Sequence, residues 1–382
     1  MMKSGWQTKS LGDVCKTGSG GTPLKSKKEF YENGTIPWLM SGEVSQGEVH
    51  FATRFITQKG LENSSARIFP KNTVLVAMYG ATAGQVGILK FEASTNQAVC
   101  GILPNEQFIP EFLYYLFLSK KDELILQATG NAQPNISQIK IKNTHVPIIK
   151  LGEQQRIVTI LDEAFAGVAT ATANAEKNLA NARELFENTK REVFENLESV
   201  EIKVPLASVC NEMFAGGDAP KDNLSNIKTE KFNIPIIANA VKNSGLYGFT
   251  DLTRVNEPSI TIAARGSGTG HTEIRYEPFF PIVRLIVLTP NTSLTTLEFL
   301  KLAIQNLVIL SNGSAIPQLT IPMIKEYSIP LPSISKQQTI VQKLDALSTE
   351  TKKLEAIYQQ KLVALAELKK SILNQAFSGQ LQ

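Results

Sequence analysis

Three His and three Cys are the candidate metal ligands considered first: His50, His145 and His271, with Cys15, Cys100 and Cys210. None has a second His or Cys at ligand spacing, so no metal site is expected. The run GSGTG at 266–270 is flexible enough to cradle a phosphate. It lacks the Lys-Ser/Thr that completes a P-loop, and a related run, GATAG, stands at 80–84. Both read as tight turns between strands. EPFF at 277–280 is a poor match to the Asp/Asn-Pro-Pro-aromatic tetrad of an amino-methyltransferase. No carboxylate-plus-Lys group reads as a nuclease either. The chain is therefore expected to be no enzyme, with no cofactor and no metal of its own.

The elements that would position any site are dominated by two long helices. The first is predicted over 152–197, the second over 335–377. In the first, apolar or small residues recur at alternating steps of four and three: Ile157, Leu161, Ala164, Val168, Ala171, Ala175, Ala182 and Leu185. This is the seam of a coiled coil. Adding 183 gives the second seam: Ile340, Leu344, Leu347, Thr351, Leu354, Tyr358, Leu365 and Leu368, continued by Ile372. The polar intruder Asn178 maps onto Lys361. A capping box is expected from Ser335 with Gln338, and a weaker one from Gly152 with Gln155. Alanines in the first seam stand where the second has Leu347, Leu354, Tyr358 and Leu365, so large knobs can enter small holes. The two helices are predicted to pair antiparallel within one chain.

The helices are part of a larger duplication. Segment 11–23 (LGDVCKTGSGGTP) answers 206–220 (LASVCNEMFAGGDAP), and 35–44 (TIPWLMSGEV) answers 233–241 (NIPIIANAV). Likewise 74–84 (VLVAMYGATAG) answers 260–270 (ITIAARGSGTG), and 130–137 (GNAQPNIS) answers 313–320 (GSAIPQLT). Then 145–155 (HVPIIKLGEQQ) answers 328–338 (SIPLPSISKQQ). Strands are predicted over 36–40, 74–78, 86–91 and 98–103, and again over 234–238, 260–264, 273–276 and 282–288. Helices follow over 110–127 and 295–310. The fold class is α+β with small mixed sheets: globular domains at 1–151 and 200–334, long helices at 152–199 and 335–382. Cys15 and Cys210, at equivalent repeat positions, read as small core residues.

The 382 residues suit two domains, and a 42% hydrophobic content is enough for real cores. No 18-residue apolar run predicts a membrane span, and the first residues lack an apolar signal core, which points to a cytoplasmic protein. Net charge is +5 over 1–151, −4 over 152–199, 0 over 200–334 and +3 over 335–382. The oppositely charged helices favour pairing at modest energy. The total of +4 is low for a protein that grips DNA phosphates unaided.

This order of motifs, given twice, closely resembles the specificity subunit of Type I restriction–modification systems. The family-like strings are IPWLMSGEV, STNQAV (94–99), GNAQPNIS, VPIIKLGEQQRIV, IPLPSISKQQTIV and ILNQAFSGQL (372–381). The second half departs at STNQAV, where FFPIVRL (279–285) stands. The resemblance implies two target-recognition domains, each reading one half of a bipartite sequence in double-stranded DNA. The helix pair would act as a ruler and dock two modification (methyltransferase) subunits, with restriction (translocase/nuclease) subunits joining. S-adenosylmethionine, ATP and Mg would belong to those partners. Base-reading side chains are then expected on the matched turns. In the first half these are Tyr79, Thr82 and Gln85, with Ser41 and Arg54 nearby. In the second they are Arg265, Ser267, Thr269 and His271, with Asn239 and Lys242. A coiled-coil adaptor without DNA would explain the helices but not why similar domains diverge at their turns. A stand-alone methyltransferase or nuclease would need a cofactor motif that is missing.

Overall fold

A computed structural model describes residues 6–127, 135–266, 268–307, 318–378 and 380, with the side chains of 45 and 46 left out. The chain divides into two compact units, Met1–Glu176 with Gln360–Gln382, and Lys177–Gln359. Both long helices form. They run over Leu151–Val200 and Ile334–Ser378, and each is shared between the units. No helix among the described residues is long and apolar enough to cross a membrane.

The first unit is built on a five-stranded sheet in the order Thr17–Ser19, Val99–Ile102, Val74–Ala77, Val86–Leu89, Gly47–Val49. Apolar residues fill the central strands, which are buried on both faces, and the pair Val86–Leu89 with Gly47–Val49 is parallel. A four-stranded sheet joins Phe55–Ile56, Ile36–Leu39, Ala93–Thr95 and Ile68–Phe69. Helix Pro110–Ser119 opens on a proline, which suits a first helical turn. It buries Phe112, Leu116 and Phe117 in the core that the main sheet shares with Ile157, Leu161 and Phe377.

The second unit repeats this plan with fewer strands. Its main sheet runs Cys210–Ala215, Ile286–Pro290, Ser259–Ile262, Thr272–Arg275. Leu246–Thr250, Ile234–Ile237 and Phe280–Pro281 make the smaller one. Registers correspond closely. Trp38 pairs with Ser94 and Leu39 with Thr95 in parallel, as Ile236 pairs with Phe280 and Ile237 with Pro281. Helix Leu297–Asn306 buries Phe299 and Leu300.

The Gly-rich segments that open each half are explained by close backbone approach. A Cβ on Gly20 would stand 2.1 Å from Thr95 O, and one on Gly216 would stand 2.7 Å from Pro281 C. Glycine alone lets these strands lie so near. Cys15 is buried beside Asn105, whereas Cys210 is half-buried at the start of its strand.

The antiparallel sense of the helix pair is visible inside each unit. In the first, Lys369 Nζ lies 4.8 Å from the Phe165 ring centre, and Leu373 and Phe377 share a core with Ile157 and Leu161. In the second, Arg183 Nε lies 3.2 Å from a Glu355 carboxylate oxygen, and Ile340 and Leu344 share a core with Phe194 and Leu197.

Several expectations need correction. Helix 110–127 is interrupted at Lys120, giving Pro110–Ser119 and Lys121–Leu126. The second-half helix is described over Leu297–Asn306, and residues 308–310 of its predicted span lie outside the described residues. The strand predicted from 282 starts at Ile286, because residues 282–285 form a turn. Both long helices begin one residue earlier than predicted, so Gly152 and Ser335 sit inside the first turn rather than at its cap.

The seam also drifts. Ile157, Leu161, Ala175, Ala182, Ile340, Leu344 and Thr351 are buried, and Ala164, Val168, Ala171, Leu347, Tyr358, Leu365 and Ile372 are half-buried. Leu185 is 47% exposed, Leu354 38% and Leu368 46%. Leu179, Phe186 and Leu373 turn inward instead. A straight helix of 3.6 residues per turn rotates by about 20° per heptad against a strict seven-residue pattern, which moves these leucines off the buried stripe.

Candidate nucleic-acid interface

Strand direction gathers the loops. Residues following Ile36–Leu39, Val74–Ala77 and Ala93–Thr95 leave the sheets at the edge where Val99–Ile102 begins, because the first and third are parallel and the second is antiparallel to the fourth. The same holds in the second unit for Ile234–Ile237, Ser259–Ile262, Phe280–Pro281 and Ile286–Pro290. Three turns therefore meet at one edge of each unit.

The turns after Ala77 and after Ile262 share one backbone. Gly84 N–H donates to Ala77 O at 2.8 Å, and Gly270 N–H donates to Ala263 O at 2.8 Å. Ala77 N–H donates to Gln85 O at 2.9 Å, and Ala263 N–H donates to His271 O at 2.9 Å. Gly80 and Gly84 sit at φ +71° and +78°, and Gly266 and Gly270 at +80° and +89°. These are left-handed values that glycine reaches without strain, so GATAG and GSGTG are the turns the sequence predicts.

On that shared frame the side chains differ. Tyr79 is 38% exposed, while Thr82 and Gln85 are half-buried; Thr82 Oγ1 donates to Tyr79 O at 3.2 Å. Ser41, half-buried, opens the helical turn Ser41–Gln46, which packs against Gly80–Thr82. The Glu43 carboxylate fixes this turn by accepting from Met40 N–H at 2.7 Å, and from Thr53 N–H and Thr53 Oγ1, each at 3.0 Å. Arg54 follows Thr53, which this turn holds. Its exposed side chain lines a hollow of about 520 Å³ with Lys25, Lys28, Tyr31, Trp38 and Phe55.

In the second unit Arg265 and Lys242 are exposed and Thr269 is half-buried; Ser267 lies outside the described residues. Asn239 is a brace. Its Nδ2 donates to Arg265 O at 3.0 Å and its Oδ1 accepts from Ala264 N–H. His271 Nε2 lies 2.7 Å from Glu273 Oε1, and Arg275 reaches the other oxygen of Glu273 at 2.8 Å. Arg275 also donates to Ser244 O at 2.7 Å, gripping a turn in which Asn243 and Ser244 both have φ +51°. Burial pulls the Arg275 guanidinium below its ordinary value, and Glu273 opposes the shift. Asn239, Lys242, Arg265 and His271 thus share one edge.

Sequence reasoning missed Glu43 and Arg275, which brace turns and carry no period. It also missed Gln97 and Val283–Arg284, at the third turn, although the replacement of STNQAV by FFPIVRL marked that place. Among the described residues no group of three or more His, Cys, Asp or Glu could hold a metal ion.

The chain is 25% identical over 99% of its length to the type I restriction enzyme MjaIX specificity subunit of Methanocaldococcus jannaschii, covering 94% of that protein. It is 32% identical over 68% of its length to a putative type I specificity subunit of Mycoplasma pneumoniae, covering 78% of it. A solved structure concerned with complex assembly and conformational transition of the type I R-M system aligns with a TM-score of 0.83 at 20% identity, covering both chains fully. That likeness shows the fold. A family model described as the Type I restriction modification DNA specificity domain matches residues 3–180 and 197–362. With both repeats matched, the chain belongs to the family of Type I restriction–modification DNA specificity subunits.

Proposed function

We propose that each globular half reads one half of a bipartite target in double-stranded DNA, through the three turns gathered at its sheet edge. The observation that carries this is the shared turn backbone: GATAG and GSGTG keep the same hydrogen bonds and positive-φ glycines, while Tyr79 and Gln85 stand where the other half has Arg265 and His271. Two readers of different bases need this combination of fixed frame and changed side chains. The low net charge fits a subunit that shares its grip on phosphates with partners. In this reading the chain itself does no chemistry. Two modification subunits dock on the helix pair and methylate with S-adenosylmethionine, and restriction subunits supply ATP- and Mg-dependent translocation and cleavage. The assembly works in the cytoplasm.

The test is to exchange residues 1–151 for the first domain of another family member and express the chimera with its methyltransferase. Methylated adenines are then mapped by long-read sequencing. One half of the methylated motif should change and the other should not. A change in both halves, or in neither, rejects independent reading.

A further inference from the structure

The third turn of each edge is held in one way and tipped with different residues. In the first unit Asn96 N–H donates to Leu39 O at 2.9 Å, and Gly20 N–H donates to Val99 O at 3.2 Å. In the second, Ile282 N–H donates to Ile237 O at 2.9 Å, and Gly216 N–H donates to Leu285 O at 2.8 Å. The bare Gly20 and Gly216 let the neighbouring strand come close enough to fix the base of each turn. On this base only the tip reaches solvent. Gln97 is exposed between buried Asn96 and Ala98, and Val283 and Arg284 are exposed between buried Ile282 and Leu285.

The second tip is strained. Leu285 N–H closes the turn on Ile282 O at 3.1 Å, with Val283 at φ +54° and Arg284 at φ +59°. Two successive left-handed residues define the mirror-image hairpin turn that Asn-Gly or Gly-Gly ordinarily fills. A β-branched residue is a marked outlier there. The strain is held by the surroundings: Val283 N–H donates to Gly217 O at 2.8 Å and Arg284 N–H to Gly216 O at 2.9 Å. Strain maintained in this way points to a use for the charged side chain at the tip, Arg284, with Val283 serving the backbone turn alone.

Both tips lie beside the candidate readers. Met78 N–H donates to Ala98 O at 2.7 Å, which sets Gln97 next to Tyr79. Ile286 is opposite Ile262, and Ile237 leads directly to Asn239. The chemistry suits base edges. Arg284 has no ion pair among the described residues, and its guanidinium is a two-pronged donor for guanine O6 and N7. Thr22 Oγ1 donates to Gln97 Oε1, orienting a carboxamide that can pair with adenine N6 and N7.

We infer that Arg284 and Gln97 are specificity-determining residues that read purine edges, one in each half of the DNA target. The inference rests on the DNA-reading function proposed above and names the third turn as part of it.

The experiment uses the full chain co-expressed with its methyltransferase, with methylated adenines mapped by long-read sequencing. Arg284→Gly removes the side chain and suits the positive φ, so loss of folding does not obscure the result. Val283→Gly relieves the same strain and keeps Arg284. Arg284→Gly should relax one position in one half of the motif, with discrimination there falling about 5- to 150-fold. Val283→Gly should leave the motif unchanged, and Gln97→Ala should relax one position in the other half. An unchanged motif with Arg284→Gly overturns the inference. So does equal weakening at every sequence, which marks a phosphate contact. A parent chain that directs methylation to no defined motif would overturn the DNA-reading function itself, a result distinct from either.

Discussion

Gln154 and Gln337 make the same three hydrogen bonds, each at the start of a long helix and each with its side chain fully buried. Gln154 Oε1 accepts from Ile109 N–H at 2.9 Å, and its Nε2 donates to Gln107 O at 2.8 Å and Ile149 O at 3.1 Å. Gln337 Oε1 accepts from Thr296 N–H, and its Nε2 donates to Leu294 O and Pro332 O, each at 2.9 Å. Ile109 and Thr296 immediately precede the helices Pro110–Ser119 and Leu297–Asn306. One neutral amide therefore ties the long helix to the loop that starts the domain helix, in each unit separately.

Replacing Gln154 by Ala should loosen the first unit. It leaves the half-buried Ile109 N–H and Ile149 O, and the carbonyl of the exposed Gln107, without their partner; an unpaired group costs about 1–3 kcal/mol when fully buried and less where water reaches it. We expect about 2–4 kcal/mol of lost stability and faster hydrogen exchange at the Ile109 amide, with the Thr296 amide unaffected. Gln337→Ala should give the mirror pattern. Protection that stays intact at Ile109 would show the amide to be a passive filler.

The antiparallel pairing has a direct chemical check. Phe165→Cys with Lys369→Cys should crosslink within one chain through a short bismaleimide, since Lys369 lies over the Phe165 ring. Arg183→Cys with Glu355→Cys should do the same across the salt bridge. The Arg183–Glu355 bridge is a surface pair that contributes little alone; Phe165→Cys also removes a ring packed on Tyr115, so folding of that variant is first verified by circular dichroism. If a Gln155→Cys with Gln338→Cys pair crosslinked while both of these failed, the helices would run in parallel.

What was legible in the sequence followed from repetition and period. The duplicated strings located Val74–Ala77 and Ser259–Ile262 and the turns that follow them, because a positive-φ turn needs glycine at fixed places. The 3.5-residue period located both long helices. It misplaced Leu185, Leu354 and Leu368, because the period does not report how a helix rotates about its own axis. The QQ strings were visible, but not that the first Gln of each is the buried one, which depends on the loops at 107–109 and 294–296. The Val283–Arg284 turn was hidden for a plainer reason. An apolar run such as PIVRLIV reads as a strand, and nothing local announces a left-handed valine.

The two buried thiols, Cys15 and Cys100, and the half-buried Cys210 predict a pH dependence. Burial pushes Cys100 up to about 12 and Cys210 up to about 12, and raises Cys15 against an opposing Asn105 hydrogen bond. The folded chain holds these protons more tightly than the unfolded chain, whose thiols titrate near about 8.5. The thiols' contribution is therefore complete below that value and is lost progressively as pH rises toward 12. The urea midpoint should be insensitive to these groups between about pH 6 and 8 and should fall above about pH 9. Cys100→Ala should flatten that fall. At pH 8 the native protein should resist Ellman's reagent and become reactive on unfolding; rapid native labelling at Cys100 would contradict the burial.

The helix pair should set the gap between the two half-sites, independently of what the half-sites are. A coiled-coil seam makes a stiff spacer, and a seven-residue insertion preserves that seam where single-residue insertions do not. Adding one heptad to each helix, within 166–175 and at a matched place within 361–370, lengthens the pair by roughly 10 Å. At about 3.4 Å per base pair this is of the order of three base pairs along the duplex. It also turns one reader about the DNA by roughly 100°, since a full turn takes about 10 base pairs. Flexibility in the DNA and the partner subunits must absorb that rotation, so variants are first selected for retained methylation and the inserted helices confirmed by circular dichroism. Among those that still methylate, the motif should keep both half-sites and acquire a longer spacer. An unchanged spacer in a verified insertion variant would mean that the partners, and not this helix pair, set the distance.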